Sequence, residues 1–92
     1  MPGYAKEIIE ASEIFKALGH PTRVCILSKL TFSSLNVTQM QECLEISQSN
    51  VSQHLNILKS KKIIVGKRRG TEIYYSLVDD RVRQIIKIYF ED

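Results

Sequence analysis

Apolar residues near the start of the chain fall at Tyr4, Ile8, Ala11, Phe15 and Leu18. Intervals of three and four place them along one stripe of a helix, and Gly19 stops it. Pro21 suits the first turn of a second helix, because its missing N–H would have no partner there. Val24, Ile26, Leu27 and Leu30 give that helix its buried face, and Thr31-Phe32-Ser33-Ser34 ends it. A third, short helix opens at Asn36, which can cap the backbone while Gln39 reaches back in a variant of the capping box. Its inward residues are Val37, Met40, Cys43 and Leu44. Ser47 is a good N-cap for a fourth helix running to about Lys61.

The period then changes from helical to alternating. Ile63-Ile64-Val65 is β-branched, and Glu72-Ile73-Tyr74-Tyr75-Ser76-Leu77 puts Ile73, Tyr75 and Leu77 on one face and Tyr74 on the other. Arg68-Arg69-Gly70-Thr71 supplies the glycine for a turn, so the two strands read as a hairpin with a basic tip. Asp79 or Asp80 starts a last helix, striped by Val82, Ile85, Ile86 and Tyr89. The predicted order is four helices, two strands and one helix, a mainly α (α+β) arrangement. A chain of 92 residues builds one core, so residues 1–92 form a single domain.

Composition narrows the class. With 43% apolar and 25% charged residues, the chain is an ordinary globule rather than a disordered or fibrous one. No apolar run approaches the roughly 20 residues of a membrane span. Lys6, Glu7 and Glu10 surround Ile8 and Ile9, so the N-terminus lacks a signal-peptide core. A cytoplasmic location without a membrane partner is therefore expected. Cys25 and Cys43 lie far apart without CxxC spacing, which argues for thiols rather than a disulfide and excludes a zinc ribbon. No nucleophile stands near a matched acid/base pair and no glycine-rich phosphate loop exists, so an enzyme is not expected.

Charge is segregated. Between Ile46 and Thr71 lie Lys59, Lys61, Lys62, Lys67, Arg68 and Arg69 with no acidic residue, within a chain of net charge +3. A local cationic excess on a small domain is the footprint of a nucleic-acid binder. On a wheel of 3.6 residues per turn, Val51, Leu55 and Leu58 share one arc of the fourth helix, and Ser49, Gln53, Asn56 and Ser60 lie opposite. A merely solvated face would carry Glu and Lys pairs. Amides and hydroxyls are instead the groups that bond base edges in the major groove. The candidate DNA-binding residues are Gln48, Ser49, Asn50, Ser52, Gln53 and Asn56, with Lys59 at the flanking phosphates and Lys67, Arg68 and Arg69 able to reach a neighbouring phosphate or the minor groove. A short helix, a tight turn over Glu45-Ile46-Ser47, a polar-faced helix and a basic hairpin are together the successive parts of a winged helix-turn-helix. Double-stranded DNA is the expected partner.

Three segments resemble one family, the ArsR/SmtB transcriptional repressors. Phe15-Lys16-Ala17-Leu18-Gly19-His20-Pro21-Thr22-Arg23 is similar to its first inter-helix junction, and Ile46-Ser47-Gln48-Ser49-Asn50-Val51-Ser52-Gln53-His54-Leu55 to its recognition helix. Ile64 to Leu77 follows its wing, including the basic tip and the tyrosine pair. The resemblance implies a homodimer held by the first and last helices, repressing from an imperfect palindrome until an effector releases it. Apolar stripes on terminal helices of a small domain agree, since they leave hydrophobic surface if unpaired. The candidate interface residues are Ile8, Phe15, Val82, Ile86 and Tyr89.

The family's usual metal sites are not matched, and no cofactor is expected. Asn36 and Thr38 stand where a thiolate site has its cysteines. Of the site on the last helix only Asp79 has a counterpart, with Arg81, a permanent cation, in the imidazole position. The chain resembles instead the PagR-type members, whose Asn-Val-Thr-Gln and Glu-Ile-Tyr-Tyr-Ser segments are similar to those here. Cys43 reads as a small buried hydrophobe; Cys25, beside Arg23, is a candidate redox thiol. Two alternatives stay open: a winged helix that binds protein or RNA, and a thiol-sensing variant of the repressor.

Overall fold

A computed structural model describes residues 3–90, with the side chain of Cys43 left aside. The elements are α1 (Lys6–Leu18), α2 (Pro21–Leu30), α3 (Val37–Leu44), α4 (Gln48–Ser60), β1 (Ile64–Arg69), β2 (Glu72–Leu77) and α5 (Asp80–Phe90), the expected winged helix-turn-helix order. Among the described residues no helix is long and apolar enough to cross a membrane.

Polar side chains start four of the helices by bonding the orphan backbone donors of a first turn. At α2, the Thr22 N–H donates to His20 Nδ1 at 3.1 Å, with Pro21 in the first helical position. At α3, the Gln39 N–H donates to Asn36 Oδ1 and the Asn36 N–H to Gln39 Oε1, both at 2.9 Å, which completes the capping box. At α4, the Asn50 N–H donates to Ser47 Oγ at 3.2 Å. At α5, the Val82 N–H donates to Asp79 Oδ1 at 3.1 Å. The turn between α3 and α4 is made by Glu45 at φ 55°, a left-handed conformation that a side chain tolerates poorly.

The hairpin differs from its sequence reading in length. β1 runs through Arg69, and the turn is only Gly70-Thr71, with Arg69 paired to Glu72. Gly70 at φ +63° supplies the positive φ that the first position of a two-residue turn demands, so the ladder closes two residues later than composition suggests. A third, single-residue pairing extends the sheet: the Leu35 N–H donates to the Tyr75 carbonyl at 3.1 Å and the Tyr75 N–H to that of Leu35 at 2.8 Å. One residue has no periodicity, which is why the sequence does not announce it.

Val51, Leu55 and Leu58 of α4 pack with Ile26 and Leu27 of α2, Met40 of α3, and Ile63, Ile64 and Leu77 at the base of the wing into one core. α5 closes it. Arg83 on α5 donates through Nη1 to the Thr31 carbonyl at 3.1 Å and through Nη2 to the Leu77 carbonyl at 2.8 Å, fastening α5 to the ends of α2 and β2.

Two expected interface residues require correction. Val82 and Ile86 belong to the core of their own protomer, at 0% and 4% exposure. The apolar stripe of α5 is broader than one helix contact, since Val82 and Ile86 form one edge and Ile85 and Tyr89 continue it around the helix. Periodicity finds such a stripe without saying which edge turns inward. The outer edge holds Ile88 and Tyr89, at 77% and 82% exposure. On α1, Ala17 turns inward while Ile8 and Phe15 stay exposed, as does Tyr4 just before the helix.

Candidate nucleic-acid interface

α4 divides into two faces as the wheel requires. Val51, Leu55 and Leu58 are at most 1% exposed, which fixes the rotation of the helix about its axis. The opposite side therefore faces outward by geometry: Gln48, Ser49, Asn50, Gln53 and Asn56 are exposed, and Ser52, on the flank, is half-buried. Ser60 is also exposed, although its hydroxyl donates to the Ile57 carbonyl at 2.7 Å. α4 contains no acidic residue, so this surface is lined with donors and acceptors and no negative charge.

Cations border it. Lys59 is exposed near the end of α4, while Lys61 is drawn towards α1, its ammonium 3.7 Å from Glu13 Oε1. In the wing the register sorts the bases by face, because paired residues project to the same side of the sheet. Lys67 and Arg69 share one side with Tyr74 and Glu72; Arg68 lies on the other, the side that packs on the core through Ile64 and Leu77. The basic tip is thus two-sided. Arg69 has its guanidinium 4.9 Å from the centre of the Tyr74 ring, a cation–π contact. Strand alternation alone contained the signal, since it places residues 69 and 74 diagonally across the ladder.

These elements present one neutral polar helix face and one basic hairpin, the combination a groove and its phosphates accept. The family model described as bacterial regulatory protein, arsR family, matches residues 20–64, from the cap of α2 to the first residue of β1. An uncharacterized HTH-type transcriptional regulator of Methanocaldococcus jannaschii is 45% identical over 83 residues, covering 89% of this chain and 93% of its own. The chain belongs to the ArsR family.

Its members named as repressors include PagR of Bacillus anthracis, 41% identical over 78 residues, which cover 84% of this chain and 78% of PagR. The crystal structure of PagR superposes with a TM-score of 0.82 at 38% identity, over 90% of this chain and 95% of that one. HlyU from Vibrio cholerae superposes with a TM-score of 0.88 at 28% identity, over 94% of each chain. This ArsR-family chain is accordingly a DNA-binding transcriptional regulator and not an enzyme.

Cys25 is half-buried with a free thiol. Arg23, two residues earlier, does not share its side of the helix. Its guanidinium goes instead to Lys16, Ala17 and His54. His54, at the edge of the buried arc of α4, meets Arg23 and the ring of His20.

Proposed function

We propose that this regulator represses transcription as a homodimer on an imperfect palindrome, with α4 of each protomer in the major groove and the wing, residues 67–71, against phosphates or the minor groove. One observation supports it above the others: the exposed face of α4 holds amides and hydroxyls and no charge, while its other face is locked into the core. A face built only for water has no need of that chemistry.

The dimer is supported by exposed apolar surface on the terminal helices. Tyr4 before α1, Ile8 and Phe15 on α1, and Ile88, Tyr89 and Phe90 on α5 are more than half exposed in the protomer. An open groove lined by Ile9, Ile14, Phe15 and Ile85 also carries charges of both signs, among them Glu7, Glu10, Lys62, Asp79 and Arg81. Apolar surface edged by charges of both signs suits a second copy of the same chain.

Selection of bound duplexes from a random pool tests this reading. The expected product is a two-fold symmetric site with half-sites about 34 Å apart, one helical turn. A module for protein or RNA returns no symmetric duplex. Repeating the selection with metals, oxidant and reductant identifies the signal, and binding unchanged by peroxide removes Cys25 as a sensor.

A further inference from the structure

Arg23 of α2 spends its guanidinium on two other helices. Nε donates to the Ala17 carbonyl at 2.6 Å, Nη2 to the Lys16 carbonyl at 3.3 Å, and Nη1 meets His54 Nδ1 at 3.2 Å. The two carbonyls lie in the last turn of α1, where a helix favours a cation. The imidazole belongs to α4. Arginine has donors only, so Nδ1 of His54 must offer a lone pair, and the ring is neutral with its proton on Nε2. His54 also lies 4.5 Å, centroid to centroid, from His20, whose own Nδ1 accepts the Thr22 N–H at the start of α2. The end of α1, the start of α2 and the middle of α4 thus meet in one set of directional contacts.

Burial of Val51, Leu55 and Leu58 sets which face of α4 turns outward. The bonds of Arg23 add a directional link from α4 to the last turn of α1. A shift of α4 relative to α1 would move Gln53 and Asn56 across the groove floor.

We infer that Arg23 and His54 are positioning residues that fix α4 relative to α1 and so set the spacing and angle of the two recognition helices in the dimer. This rests on the reading above, in which α1 helps join the protomers and α4 enters the groove. Neither side chain needs to touch DNA. The benefit is preorganisation: two helices already at the right separation dock without ordering each other.

The test uses the full chain and three duplexes: the selected operator, the same operator with one base pair inserted at its centre, and an unrelated sequence. His54→Leu removes the acceptor, and His54→Gln keeps one within reach of Arg23. His54→Leu is expected to lose about tenfold on the operator. It should also bring the operator-to-expanded ratio towards one and leave the unrelated duplex unchanged. His54→Gln should restore both values. Equal losses on all three duplexes with a wild-type ratio, or no rescue by glutamine, would overturn the inference. Arg23→Lys guards against a misfolded leucine variant: one ammonium cannot hold α1 and His54 together, so it too should narrow the ratio, and His54→Gln in that background should change nothing more. A wild-type protein indifferent to the inserted base pair overturns the rigid dimer and the clamp together. A wild-type preference that His54→Leu retains overturns the clamp alone.

Discussion

Arg69 on β1 lies over the ring of Tyr74 on β2, 4.9 Å from guanidinium carbon to ring centre. Stacked this way, the guanidinium keeps its in-plane N–H groups free for phosphate oxygens while losing less freedom on docking. Arg69→Ala should weaken binding to every duplex alike and lower the slope of log affinity against log salt by about 1. Titrations at several salt concentrations on operator and unrelated DNA measure both. Tyr74→Phe, which keeps the ring face, should change neither.

Gln53 should behave in the opposite way. It projects from the middle of the exposed α4 face, with no charge to offer a phosphate. Gln53→Ala should relax sequence preference at one position of each half-site by about 1–3 kcal/mol. Its salt slope should be that of the wild type. Binding to a panel of single-base operator variants reads the effect, and equal loss of discrimination in the Gln53 and Arg69 variants would contradict the roles assigned to both.

Stability should depend on the proton of His54. Its pKa is lowered from the ordinary 6.5, first by burial, then by His20 and by Arg23. The folded state therefore binds fewer protons at this site than the unfolded chain, so the contribution is complete above the unfolded value and falls as pH drops through the folded one. Urea unfolding at pH 7.5 and at pH 5, for wild type and His54→Gln, isolates it from the carboxylates. The advantage of the wild type should shrink at the lower pH; an advantage that grows would reverse the sign.

Gly66 bears on the wing. A Cβ there would meet Ile73 Cγ2 at 2.9 Å and Tyr75 Cε1 at 3.1 Å, both on the core-facing side of the hairpin. Gly66→Ala should cost about 1–3 kcal/mol, the usual penalty of overpacking. The loss should appear in thermal unfolding and in exchange of the β2 amides. A variant as stable as wild type, with unchanged exchange, would show that the two side chains move aside freely.

Most of the architecture was legible because it depends on local chemistry. Asn36 with Gln39 and Ser47 announce a helix start by satisfying an orphan donor, Pro21 by lacking one, and each acts there. The α4 faces were legible for a related reason: three apolar residues in one arc leave a single rotation that buries them. What escaped were relationships set by tertiary structure. Sequence spacing cannot bring Arg23 to His54, thirty-one residues apart, or pair Leu35 with Tyr75. Nor could it say which edge of the broad α5 stripe is core, and there Val82 and Ile86 were misplaced at the interface.

That misplacement yields a clean contrast between fold and assembly. Ile86 is 4% exposed, so Ile86→Ala opens a cavity in each protomer and should cost about 2–5 kcal/mol. Phe15 is 61% exposed on the proposed interface, so Phe15→Glu leaves the protomer core intact and buries a charge only if a second copy covers it. Sedimentation equilibrium should then find wild type and Ile86→Ala dimeric at micromolar concentration and Phe15→Glu monomeric. The thermal midpoint of Phe15→Glu should also lose its dependence on protein concentration, because mass action no longer links folding to association. A Phe15→Glu protein that stays dimeric would move the interface off α1, and the correct face would have to be sought around Ile88 and Tyr89.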